Sequence, residues 1–183
     1  MRKIVNSTYI SLDGVVELPH EWPTIERPSD ERGNDVQTNL LTACDAVLMG
    51  RRTYEGFAPA WQARAGDPFA DRINAMPKYV VSTTLTDPGW TNTTVIDGNV
   101  AERIRQLKDE PGQDIVQYGF GAVSTLLMEH DLLDELHLWI HPLFVGKGSP
   151  DDLLFPKAPP AQFSLTDATI LKNSMAILTY QLA

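Results

Sequence analysis

The sequence predicts an α/β fold: a mixed, mostly parallel sheet in a three-layer α/β/α arrangement, with an antiparallel hairpin at the C-terminal end. Three observations predict it. Short β-rich apolar runs alternate with segments of helical spacing along most of the chain. Two of those runs end at glycine and pass directly into a helical pattern: DAVLMGRRTYEGF over residues 45–57 and YGFGAVSTLL over residues 118–127. The tail alternates apolar and polar residues over 162–170 and 174–182 around Lys172-Asn173, which is a hairpin signal.

The elements follow in order. Ile4, Val5, Tyr9 and Ile10 make residues 2–10 a buried strand, broken by SLDG at 11–14. The next segment, with Pro19, Pro23, Pro28 and Gly33, reads as a long functional loop. A short helix is expected over 35–44, a strand over 46–49, a helix start over 51–57 and a loop over 58–66. Asp67 caps a helix running to Met76, with Pro68 suited to its first turn. Strands are expected at 78–82 and 94–96, and Val100, Ile104 and Leu107 give 99–108 helical spacing. A strand at 115–118 and a helix at 122–130 follow, then a strand over 134–145 broken at His141-Pro142. Strands alternating with helices imply a sheet covered on both faces. Residues 1–183 read as one domain, and Pro159-Pro160 marks a turn within it.

Composition narrows the function. A formal net charge of −9 argues against a nucleic-acid partner, since phosphate backbones call for clustered cations. No segment approaches the roughly 20 apolar residues of a membrane span, and the expected location is the cytoplasm. The single cysteine, Cys44, excludes a disulfide framework and reads as a core residue. His137 and His141 are four apart, but in DELHLWIHP that spacing falls on a strand, so no metal site is expected. His20 lies in the long loop and His130 near a helix end. The chain carries no GxSxG, Walker A or HExxH motif.

The strand–glycine–helix junctions carry the functional signal. A helix N-terminus gathers free N–H groups and the positive end of the dipole, and glycine lets an anion approach the backbone. Gly50, Arg51, Arg52 and Thr53 form one such point, and Gly119, Phe120 and Gly121 the other. Together they suggest a dinucleotide held by two helix ends. Cations at a helix start are otherwise disfavoured, although Arg51 is also spaced to pair with Glu55. Asp13 reads either as part of an Asp-Gly turn or as a carboxylic acid of raised pKa serving as proton donor, with Glu17 and Asp35 as rivals. Trp22 is a loop anchor or a lid, and Trp61 is a packing residue.

With these residues in view, the chain resembles the dihydrofolate reductase-like superfamily, and within it the reductase domain of the bifunctional riboflavin-biosynthesis deaminase-reductase. SLDGVVE, DAVLMGRRTYEGF, KYVVST, YGFGAVSTLL and LLDELHLWIHPLFVGKG carry the resemblance, in family order, over essentially the whole chain. The resemblance implies a mixed eight- or nine-stranded sheet, NADPH as reductant and a homodimer. It places Gly50, Arg51, Arg52 and Thr53 on the cofactor phosphates and Ser82, Thr83 and Thr84 on the adenosine side. Gly119, Phe120, Gly121, Ala122 and Val123 fall on the pyrophosphate. It sets Asp13 and Gly14 beside the nicotinamide and substrate, with Trp22 and Tyr118 lining the substrate side and Asp13 and Tyr118 as catalytic candidates. The implied activity is hydride transfer to a small heterocycle, as in reduction of 5-amino-6-(5-phosphoribosylamino)uracil. The alternatives are dihydrofolate reductase activity, a flavin cofactor, or a non-catalytic nucleotide-binding or dimeric scaffold. Three departures qualify the likeness. The deaminase half is absent, Tyr118 stands where the riboflavin enzymes place a glutamate, and the Trp-x-x-Pro pattern that accompanies the folate acid is missing.

Overall fold

In the computed structural model, which describes residues 1–24, 30–64, 66–154 and 158–183, eight strands form one sheet. The elements are β1 (Ile4–Ser11), α1 (Glu31–Ala43), β2 (Cys44–Gly50), α2 (Arg51–Gln62), α3 (Pro68–Ala75), β3 (Lys78–Val81), β4 (Thr93–Ile96), α4 (Val100–Asp109), β5 (Asp114–Tyr118), α5 (Ala122–Glu129), β6 (Glu135–His141), β7 (Phe163–Ile170) and β8 (Ala176–Leu182). The strand order is β4-β3-β2-β5-β1-β6-β8-β7. The first six strands pair in parallel, and β8 and β7 add antiparallel at the end, as the sequence predicts.

Both faces are covered because the central strands are apolar on both. Ile4, Ala46, Leu48 and Ile115 pack with Ile104 and Leu107 of α4 and Val123 and Leu127 of α5. On the opposite face Val5, Val47, Met49 and Val116 pack with Leu40 and Leu41 of α1, Tyr54 and Ala58 of α2 and Ile73 of α3. Trp139 and Ile177 extend that second layer under α1 with Leu171 and Met175.

Several boundaries differ from the sequence reading. α1 begins at Glu31, four residues early, capped by Asp30, whose side chain accepts from Arg32 N at 3.1 Å. Gly33 therefore lies inside the helix. A Cβ there would stand 3.0 Å from Leu171 Cδ1, so a residue that reads as a loop signal is a close-packing residue. Cys44 opens β2 instead of closing the helix. α2 continues through Pro59 to Gln62, where a loop is expected from Ala58, because Tyr54, Phe57, Ala58 and Trp61 keep an apolar stripe on the sheet. β6 stops at His141, ahead of Pro142. Pro28, read as part of the long loop, lies outside the described residues.

Candidate active site

β5 is short, and that shapes the carboxyl edge of the sheet. It ends at Tyr118, level with Ser7 of β1 and Met49 of β2. β1 and β6 run on side by side to the Ser11–His141 pair. The chain leaves β2 through α2 on one face and leaves β5 through α5 on the other. Neighbouring strands that send their helices to opposite faces open a crevice between them, the switch point where open α/β sheets hold ligands.

The two glycine junctions meet in this notch. Gly119 has φ +79°, and a Cβ on it would stand 2.5 Å from Thr53 Oγ1, while one on Gly50 would stand 3.4 Å from Val123 Cγ2. The start of α2 therefore touches the turn that opens α5. Neither N-cap, Gly50 or Gly121, supplies a side-chain cap, and neither first turn holds an acid. α1 and α3 are capped by Asp30 and Asp67. Uncapped helix starts keep their N–H groups available to an anion.

A clamp that sequence reasoning missed fixes the glycine turn. The Gly119 carbonyl accepts from Gln117 Nε2 at 2.7 Å, Asn6 Nδ2 at 2.9 Å and Ser124 Oγ at 3.2 Å. Asn6 and Gln117 also bond each other, and Ser124 Oγ donates to Gln117 Oε1 at 3.1 Å. All three side chains are buried. Their signal in the sequence is a polar residue set inside an apolar strand or helix face, where burial demands a partner.

Of the basic pair, Arg51 binds Glu55 at 2.9 Å across one helical turn. Arg52 is exposed and makes no ion pair among the described residues. Ser82 is buried and accepts from Thr84 N at 3.1 Å and Leu85 N at 3.0 Å, so it shapes the turn after β3, leaving Thr83 and Thr84 exposed. A groove of about 350 Å³ lies at the carboxyl end of β4, lined by Ile96, Asp97, Asn99 and Glu102.

On the other side of the notch, Asp13 departs from the expectation of a raised pKa. Its carboxylate accepts from Ser11 Oγ at 2.5 Å, Gly146 N at 2.9 Å and Val145 N at 3.1 Å. These bonds, led by Ser11, hold its pKa down to about 2, which suits an anchor and not a proton donor. Asp13 thus pins the turn containing Gly14 (φ +85°) to the loop after β6. Leu12 N→Leu143 O, Val16 N→Asp152 O and Leu154 N→Gly14 O extend the seam. Asp35 is exposed on the outer side of α1, and the residue turned toward the sheet is Gln37, which hydrogen-bonds Tyr9. Trp22 is buried. Its Nε1 donates to Glu17 O at 2.8 Å and its ring meets the His141 ring edge-on at 5.3 Å. Tyr118 is buried with its ring 5.2 Å from Phe57 and its hydroxyl unpartnered among the described residues. Burial drives its pKa above the usual phenol value. Trp61 stacks between Phe57 and Phe69, a packing role. Among the described residues no group of three or more His, Cys, Asp or Glu is placed to hold a metal.

Sheet order and notch together define a protein of the dihydrofolate reductase-like α/β class. Within that class the chain belongs to the RibD C-terminal domain family, whose model matches residues 2–177. A Bacillus subtilis (strain 168) relative, the uncharacterized protein YyaP, is 27% identical over 157 residues, covering 81% of this chain and 79% of its own. A putative riboflavin biosynthesis protein from Shewanella sp. PV-4 superposes with a TM-score of 0.71 at 20% identity, covering 99% of both chains. A pyrimidine reductase-like protein from Corynebacterium diphtheriae gives 0.68 at 14% identity, over 100% of this chain and 92% of its own. The Thermotoga maritima diaminohydroxyphosphoribosylaminopyrimidine deaminase/5-amino-6-(5-phosphoribosylamino)uracil reductase gives 0.68 at 16% identity, and this chain spans 57% of it. No helix among the described residues is long and apolar enough to cross a membrane.

Proposed function

We propose that this protein is an NADPH-dependent reductase acting on a small heterocyclic acceptor, related to the uracil reductase step of riboflavin biosynthesis. One observation carries the reading: the uncapped starts of α2 and α5 are held in contact at the notch, with Gly119 leaving no Cβ between them. That geometry fits a pyrophosphate. The first-turn N–H groups of Arg52, Thr53, Ala122 and Val123 are the donors for it, and the Gly119 clamp keeps them in place. The unpaired Arg52 guanidinium suits the additional phosphate that separates NADPH from NADH, because its planar fork matches phosphate oxygens. Thr83 and Thr84 offer hydroxyls beyond the end of β3. Bound there, the cofactor supplies a hydride. The protein's share is orientation and exclusion of water, with Trp22 and the strapped 12–16 turn walling the far side.

Folate reduction is the weaker alternative. The acid it calls for is not turned into the cleft: Asp35 faces out, and Asp13 is committed to backbone amides. The test is a parallel thermal-shift titration with NADPH, NADH and FMN. A ligand at a hundred times its dissociation constant adds about 2.7 kcal/mol, or roughly 5–10 °C for a domain of this size. We expect the shift with NADPH, and its loss in R52A. A protein that responds to none of the three is not a nucleotide-dependent reductase.

A further inference from the structure

The chain has two Asp-Gly pairs, Asp13-Gly14 and Asp97-Gly98, and the fold treats them oppositely. An aspartate followed by glycine is open to ring closure, because glycine carries no Cβ to hinder its own nitrogen from reaching the preceding carboxyl. In Asp13-Gly14 both reacting groups are held. Gly14 N donates to Ser11 O at 3.0 Å, and the Asp13 carboxylate accepts from Ser11 Oγ, Gly146 N and Val145 N.

Asp97-Gly98 lies where β4 ends and α4 begins, and neither reacting group is held there. The β3–β4 ladder closes with Ser82 N→Ile96 O at 3.0 Å, which leaves both residues beyond its last bond. The Asp97 carboxylate and the Gly98 amide have no hydrogen-bond partner among the described residues. Residues 97–99 are all exposed and line the groove of about 350 Å³, so water reaches them. A Cβ on Gly98 would meet nothing within 4 Å. Asn99, ahead of α4, has φ +48° and makes no side-chain cap bond, so the junction lacks the cap that Asp30 and Asp67 give α1 and α3.

We propose that Asp97-Gly98 is a site of spontaneous backbone modification, converting to isoaspartate through a cyclic imide while Asp13-Gly14 stays intact. The Gly98 nitrogen attacks Asp97 Cγ and forms the N–Cγ bond. The carboxyl hydroxyl leaves with the amide proton as water. Water then reopens the ring. Cleavage at Cγ restores aspartate, whereas cleavage at the α-carbonyl leaves the chain running through Cβ and Cγ with a free α-carboxylate. One water leaves and one returns, so the product is an isomer and no oxidant, reductant or cofactor takes part. The reaction is therefore readable whether or not the reductase reading holds. Its product lengthens the backbone by one methylene directly ahead of α4, next to the Ile96 carbonyl that ties β4 to the turn after β3.

The test incubates full-length protein at mildly acidic pH, native and in urea. Isoaspartate is located by peptide mapping and counted by methyl transfer from S-adenosylmethionine with an isoaspartyl carboxyl methyltransferase. Closure at residue 13 must first break a charge-assisted bond, so in native protein residue 97 should convert about tenfold faster or more. In urea the two rates should converge. D97E, which can close only a larger ring, and G98A, whose methyl hinders attack, should both lose the native signal. G98A should keep the wild-type Tm, because the space around Gly98 is open, so its loss of signal reports the chemistry and not the fold. Three results would each overturn the site: equal native rates at residues 13 and 97, no native conversion at 97 while the protein in urea converts, or a signal unchanged in D97E and G98A.

Discussion

Lys78 is fully buried and has no carboxylate beside it among the described residues. Its ammonium instead donates to the carbonyls of Met76, Asn74 and Ile73 at 2.7, 2.8 and 3.0 Å and lies 4.6 Å from the Trp90 ring centroid. It thereby closes the C-terminal end of α3, where the dipole is negative. Burial lowers its pKa to about 8, which still leaves it charged at neutral pH. Lys78→Met strands those carbonyls in an apolar setting. We expect a loss of about 3 kcal/mol, read as a fall in Tm of roughly 6–12 °C. Cys44 makes the opposite case: fully buried, its thiol is pushed up to about 12, mainly by desolvation. It should therefore fail to react with a disulfide reagent at pH 8 until the protein is unfolded. Prompt labelling of native protein would show that β2 opens.

At the scale of elements, the α2–α5 junction depends on one residue having no side chain. Gly119→Ala meets both a left-handed backbone (φ +79°) and a contact 2.5 Å from Thr53 Oγ1. The backbone term alone costs about 1–2 kcal/mol. We expect G119A to lose about 2–4 kcal/mol and its NADPH-dependent thermal shift, with T53A restoring part of the stability and none of the shift. Full recovery in the double variant would mean that crowding alone, and not the turn, matters. The same region explains why α2 outlasts its expected end. Pro59 removes one helical N–H, but the aromatic stripe of Tyr54, Phe57 and Trp61 on the sheet outweighs that loss.

Acid stability belongs to the whole molecule. The His141 pKa falls from 6.5 to about 4 on folding, so the unfolded chain binds more protons across that window. Stability is therefore greatest above about 6.5 and declines as the pH drops toward 4. Asp13, lowered from 3.8 to about 2, adds stability that is present above about 4 and lost as the pH falls through 2. Asp30, held low by Arg32 and the Lys172 amide, behaves likewise. Urea midpoints measured from pH 7 to 4 should fall in wild type and fall less in H141Q. Parallel slopes would show that His141 does not titrate on unfolding.

Element order and the two glycine junctions were legible in the chain because both are local. Apolar periodicity, caps such as Asp67 and a glycine at a strand end are written within a few neighbouring residues. Those signals predicted strand and helix alternation, the terminal hairpin and the basic helix start at Arg51-Arg52. Position across the sheet is not local, and there the structure decided. Strand order put β5 between β1 and β2, which brought Gly119 onto Thr53 and assembled Asn6, Gln117 and Ser124 around its carbonyl. Helix phase turned Gln37 inward and Asp35 outward, and the seam to Gly146 made Asp13 an anchor. Register aligned Ser7 with Tyr118 and His137, each more than a hundred residues further along the chain. Periodicity reports which faces of a segment are buried, whereas the company a buried polar atom keeps depends on pairings that only the folded sheet makes.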